Sequence, residues 1–155
     1  MKKLCLFLLA AALLLICTAS CALAENIPID AAHFPDANFR SYVASNIDTD
    51  KNGVLSDGER NKVTEINVMN KKISSLQGIK LFPALSVLYC SSNILRTLDM
   101  SGCTAMRELS CFLNQLTSLN VSGCTALTNL HFEGNQLTRL DVSQCYDLEV
   151  LNQCH

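Results

Sequence analysis

Between positions 48 and 59 the chain reads Asp48-Thr49-Asp50-Lys51-Asn52-Gly53-Val54-Leu55-Ser56-Asp57-Gly58-Glu59. Oxygen-bearing side chains fall at the first, third, fifth, ninth and twelfth places, with glycine at the sixth and an apolar residue at the eighth. A hard cation such as Ca²⁺ needs roughly six to eight oxygens around it. Asp48, Asp50, Asn52 and Ser56 offer side-chain oxygens, and Val54 offers its backbone carbonyl. Glu59 would close the site with two carboxylate oxygens, and Gly53 allows the sharp turn that wraps the loop around one ion. Five carboxylates lie between Asp48 and Glu65, and the ion would neutralise their mutual repulsion.

The spacing resembles the EF-hand calcium loop, and the flanks supply the elements to hold it. Phe39, Val43 and Ile47 recur every four residues, as one face of an entering helix does. Pro35 and Asp36 mark its start. Ser56-x-x-Glu59 is a capping box for a short exiting helix. The resemblance implies a dissociation constant at the extracellular end, on the order of 10⁻⁴–10⁻³ M, because one loop has no partner hand. A structural role is expected.

Beyond this loop the sequence repeats itself. Asn93, Asn114 and Asn135 are 21 apart, as are Leu88, Leu109, Leu130 and Leu151. The unit runs Leu85-x-x-Leu88-x-Cys90-x-x-Asn93-x-Leu95-x-x-Leu98 and begins again at Met106, Leu127 and Leu148. A diverged copy lies 22 residues earlier, where Val63, Ile66, Val68, Ile73 and Leu76 match and Lys71 replaces the Asn.

These columns resemble the leucine-rich repeat. The resemblance implies an α/β fold: a solenoid of 21–22-residue repeats with a short parallel β-sheet, capped at its N-terminus by the small helical EF-hand-like segment. Each unit is expected to be one strand and a return. The Leu columns are buried only when units stack, and the family's Asn bonds turn backbone that would otherwise be orphaned. The expected divisions are 1–24 leader, 25–62 cap and 63–155 repeats, the last unit incomplete. The whole is similar to secreted bacterial leucine-rich-repeat proteins with a dockerin-like N-terminal segment. A dockerin carries two calcium loops and this chain has one, so cohesin binding is not expected.

Residues 1–24 read as a secretory signal peptide. Lys2 and Lys3 precede an apolar run from Leu4 to Ile16, and Ala22-Leu23-Ala24 gives the cleavage pattern. Small residues before Cys21 keep a lipoprotein alternative open. Removing the leader takes two lysines and leaves 10 basic against 14 acidic residues. No basic stripe suits nucleic acid, and no later apolar run could span a membrane.

Three of the nine cysteines leave with the leader. Cys103, Cys124 and Cys145 share one column, and Cys90 and Cys111 share an inward column that Phe132 continues. Both columns read as buried thiols in the core, with a Cys90–Cys111 disulfide as the alternative. Cys154 falls at an exposed column and could pair between chains.

The positions flanking the buried Leu define a concave surface. One row is Glu65, Val87, Glu108, Asn129 and Val150. The next is Asn67, Tyr89, Ser110, His131 and Asn152, and the third is Met69, Ser91, Phe112, Glu133 and Cys154. Tyr89, Phe112, His131 and Glu133 make the most interaction-like cluster. No nucleophile, base and orienting group share a face, so catalysis is not expected. The expected function is a secreted or cell-surface module that binds a protein or glycan through the concave face. The alternatives are a calcium-dependent anchoring module and a fragment of a longer repeat protein. An open apolar edge at the last repeat would favour self-association.

Overall fold

The computed structural model describes residues 26–152. The leader over 1–24, Cys21 and Cys154 lie outside the described residues.

Chain order gives strand β1 (Ile27–Pro28), helix α1 (Ala37–Asn46), strand β2 (Val54–Leu55) and helix α2 (Asp57–Arg60). Strands β3 (Glu65–Asn67), β4 (Val87–Tyr89), β5 (Thr97–Asp99), β6 (Glu108–Ser110), β7 (Ser118–Asn120), β8 (Asn129–His131) and β9 (Val150–Asn152) follow. A 3₁₀ turn, Ile79–Leu81, stands between β3 and β4. The molecule is the expected solenoid, and among the described residues both α-helices fall in the N-terminal segment.

Five strands form one parallel sheet in the order β3-β4-β6-β8-β9. Its register aligns Ile66, Leu88, Leu109, Leu130 and Leu151 in a single column. Ile66, Leu88, Leu109 and Leu130 have no exposed surface, and full burial of each such side chain stabilises by roughly 1.5–3 kcal/mol. Leu151 is 49% exposed.

The returns hold a feature that the sequence reading did not contain. Strands β5 and β7 pair in parallel, with Leu98 against Leu119, as a second small sheet. Each of these units is therefore two strands joined by turns.

The asparagine column closes the turns. Asn93 donates from Nδ2 to the carbonyls of Val68 and Cys90, and its Oδ1 accepts the amides of Lys71 and Ile73. Asn114 donates to the Cys90 and Cys111 carbonyls and accepts the Leu95 amide. Asn135 repeats this with Cys111, Phe132 and Leu116. Each side chain thus satisfies backbone groups of its own rung and of the rung before it, groups that burial would otherwise leave without partners.

The N-terminal segment shares the core of the repeats, which runs continuously from Ile27 to Cys145. Phe34 packs edge-on against Phe39, with ring centroids 5.7 Å apart, and lies 6.4 Å from the ring of Phe82 in the first return. Gly78 makes this approach feasible. A Cβ there would come within 2.6 Å of both the His33 carbonyl and the Phe34 ring.

Candidate metal loop and concave face

Helix α1 begins where expected, with Asp36 as its N-cap and Phe39 and Val43 buried. It delivers Asp48 to the start of the loop in a nearly buried position. Lys51 and Gly53 both have positive φ, 59° and 82°. These left-handed residues fold the loop back on itself. Lys51 Nζ then donates to the carbonyls of Ala44 and Ser45 near the end of α1, a favourable place for a cation.

The loop is not left without a partner strand. Ile27–Pro28 pairs antiparallel with Val54–Leu55, and the Ile29 amide donates to the Gly53 carbonyl. Backbone groups alternate sides along such a ladder, so those of Val54 face the loop. Its amide does so, donating to Asn52 Oδ1 at 2.8 Å. Strand β1 supplies the edge that a second hand would provide, a feature the sequence reading missed.

Oxygen atoms of Asp48, Asp50 and Glu59 lie within 4.8 Å of one another. Asp48 accepts the amides of Asn52 and Gly53. Asn52 donates its side-chain amide to Asp50 at 2.8 Å. Ser56 and Glu59 form the expected capping box of α2. Glu59 accepts four hydrogen bonds: Oε1 from the amide and hydroxyl of Thr49, Oε2 from those of Ser56. The Ser56 amide leads these donors in holding the Glu59 carboxyl down at about 2. The loop thus keeps Glu59 ionised, as a metal ligand must be, while Ser56 is committed to the cap.

On the concave sheet the structure brings the four expected surface residues together. Tyr89 and His131 flank Ser110 across paired strands β4, β6 and β8. Phe112 and Glu133 follow one another in the next column, where the Leu113 amide bonds the Glu133 carbonyl. All four are partly buried. His131 Nδ1 stands 3.9 Å from Glu133 Oε1. The Glu108 carboxylate on the neighbouring strand is the main influence that pushes the Tyr89 phenol up. Two expected surface positions are instead buried. Ser91 and Ser110 bond each other through their hydroxyls at 2.9 Å, and that mutual satisfaction lets both leave solvent.

The five described cysteines are free. Burial raises the thiols of Cys90, Cys111 and Cys124, the last two to about 12. Cys124 Sγ donates to the Met100 carbonyl at 3.1 Å.

A family model described as the leucine-rich-repeat domain of the endo-β-N-acetylglucosaminidase EndoS matches residues 34–154, cap and repeats together. The chain belongs to this leucine-rich-repeat family. Among curated relatives of this EndoS-type domain, internalin J of Listeria monocytogenes is 37% identical over 68 residues. That match covers 44% of this chain and 7% of internalin J. The solved functional domain of InlJ from the same organism, described as including a cysteine ladder, superposes with a TM-score of 0.75 at 36% identity. It covers 83% of this chain, which spans only 28% of that one. The EndoS-type repeat domain is thus an internalin-like solenoid. Among the described residues no helix is long and apolar enough to cross a membrane.

Proposed function

We propose that the chain is a secreted or cell-surface binding module that holds a protein or glycan on its concave sheet and is stiffened by calcium at its N-terminal loop. The observation that carries this reading is the cluster of Tyr89, Phe112, His131 and Glu133 on adjoining rungs. Buried Leu88, Leu109 and Leu130 fix the backbone beneath them. Aromatic side chains held this way present contact area with little freedom left to lose on binding. The leader expected over residues 1–24 would carry the chain out of the cell.

The calcium part rests on the loop. Asp48, Asp50 and Glu59 would hold the ion through carboxylates, with Asn52, Val54 and Ser56 completing the oxygen set. The ion would neutralise the carboxylates and fix the loop against β1, so that the cap stays closed over the first repeat. Glu59 must exchange part of its present hydrogen bonding for the metal, which suits weak, extracellular-range affinity.

Two measurements test the reading. Arrays of extracellular proteins and glycans are probed with the wild-type chain and with a Tyr89→Ala, Phe112→Ala, His131→Ala variant. Loss of the array ligand at unchanged melting temperature is expected, and a ligand indifferent to the triple change refutes the concave site. Thermal melting with calcium or with a chelator tests the loop. Calcium raises the melting temperature of the wild type, and Asp48→Ala with Glu59→Ala abolishes that rise while ligand capture persists. Capture that disappears with the fold intact would make the loop itself the attachment device.

A further inference from the structure

We propose that the concave face takes a basic segment of a protein partner, bearing arginine or lysine, laid across the rungs between Glu65 and Glu133. This deepens the binding reading and rests on it. The chain has 12 Lys and Arg residues, yet none falls in the three rows of the concave face, where Glu65, Glu108 and Glu133 all lie. A surface so divided attracts and orients cationic partners and repels anionic ones.

The carboxylates are arranged around aromatic rings. Glu65 and Glu108 pair in register with Val87 from either side, two residues before Tyr89 on the same face of β4. Phe112 and Glu133 sit in successive rungs of one column. A guanidinium or ammonium group placed against Tyr89 or Phe112 would meet a ring face and a carboxylate together, which is how proteins hold such groups.

Glu133 gives a separate reason. Its Oε2 is shut away from solvent and has no hydrogen-bond donor. An enclosed carboxylate oxygen without a donor is costly. The last torsion of a Glu side chain is soft, so a small rotation turns that oxygen outward toward a cation. An arginine brings several N–H donors in one plane and can serve both oxygens. Glu65 and Glu108 are two rungs apart, roughly 10 Å, so one cation cannot serve every carboxylate and a segment is required. A neutral glycan would leave the three charges uncompensated, and an acidic one would be repelled.

The test titrates the isotope-labelled full chain with hexa-arginine, hexaglutamate and chitotriose at low salt, followed by amide NMR. Hexa-arginine is expected to move the resonances of Tyr89, Phe112, His131 and Glu133, and hexaglutamate is not. Glu108→Gln with Glu133→Gln should weaken hexa-arginine at least tenfold, whereas the exposed, charge-matched Asp147→Asn with Glu149→Gln should change it less than twofold. Equal weakening by both pairs means diffuse charge attraction and overturns the proposal. Chitotriose moving the same resonances while hexa-arginine moves none overturns the cationic partner but leaves the concave site standing. An array ligand indifferent to the Tyr89, Phe112 and His131 changes removes the site itself.

Discussion

Asp36 holds two elements at once: its Oδ1 accepts the amides of Asn38 and Phe39 at the start of α1, and its Oδ2 accepts both the amide and the hydroxyl of Ser74 at 2.8 Å. One carboxylate thus caps a helix and fastens it to the first return of the solenoid. Burial works against its charge, but the amides of Ser74 and Phe39 prevail and keep the carboxyl below its ordinary range. Asp36→Ala removes cap and clasp together and should cost about 2–3 kcal/mol. Asp36→Asn keeps an oxygen for the cap and should cost about 1 kcal/mol. Urea unfolding of the two variants checks the order.

Glu59 makes stability depend on acid. Its carboxyl is lowered from 4.5 to about 2 in the folded chain. A depressed carboxylate contributes fully above its unfolded value and loses that contribution as pH falls toward the folded one. In chelator, the melting temperature should therefore fall as pH drops from about 4.5 toward 2. Glu59→Gln should be less stable at neutral pH and show a shallower fall over the same window. Melting curves across that range decide it.

Asn114 is more deeply set than Asn135, being only 8% exposed. Asn114→Ala leaves the Leu95 amide without its side-chain partner and removes one of the two asparagine donors on each of the Cys90 and Cys111 carbonyls. The cost should be about 3 kcal/mol. Asn135→Ala should cost less, because water reaches that partly buried site. Equilibrium unfolding of both variants is the check.

Leu113 is forced into a left-handed backbone, with φ at 53°, while its side chain is 58% exposed. The equivalent turn one rung later uses Gly134, at φ 65°. Leu113→Gly relieves the strain and gives up little packing, so it should stabilise by about 0.5–1 kcal/mol. A raised urea midpoint with unchanged slope is the expected result.

The described thiols should react in order of access. Cys103 is half-buried, and Cys90, Cys111, Cys124 and Cys145 are enclosed. At pH 8, iodoacetamide should label Cys103 first and reach Cys90, Cys111 and Cys124 only on unfolding. Peptide mass spectrometry with and without denaturant reads this directly.

Much of this was legible because it is local or periodic. The loop spans a dozen consecutive residues whose types each have one reason to be there. The Leu and Asn columns repeat at a fixed interval, so both the buried floor and the four clustered face residues followed from spacing. Three things were hidden for physical reasons. Strand β1 is two residues long and contains Pro28, and its partner lies far along the chain, so no pattern marks it. Thr97-Leu98-Asp99 carries one apolar residue and is too short to show alternation, which concealed β5 and β7. Ser91 and Ser110 look like surface by composition, but each is the other's hydrogen-bond partner.

The asparagine column also gives the solenoid a direction. Asn93 secures the turn at Lys71 and Ile73, Asn114 the one at Leu95, and Asn135 the one at Leu116. Each of these turn amides in the earlier rung is held by the side chain of the later one. Stacked rungs exchange apolar burial symmetrically, but these bonds behave like a zip. Losing a rung on its later side undoes the turn before it, whereas losing one on its earlier side leaves every later turn fastened. Fraying should therefore advance from later rungs toward the cap, and hydrogen-exchange protection should be weakest in the later rungs and rise toward the cap.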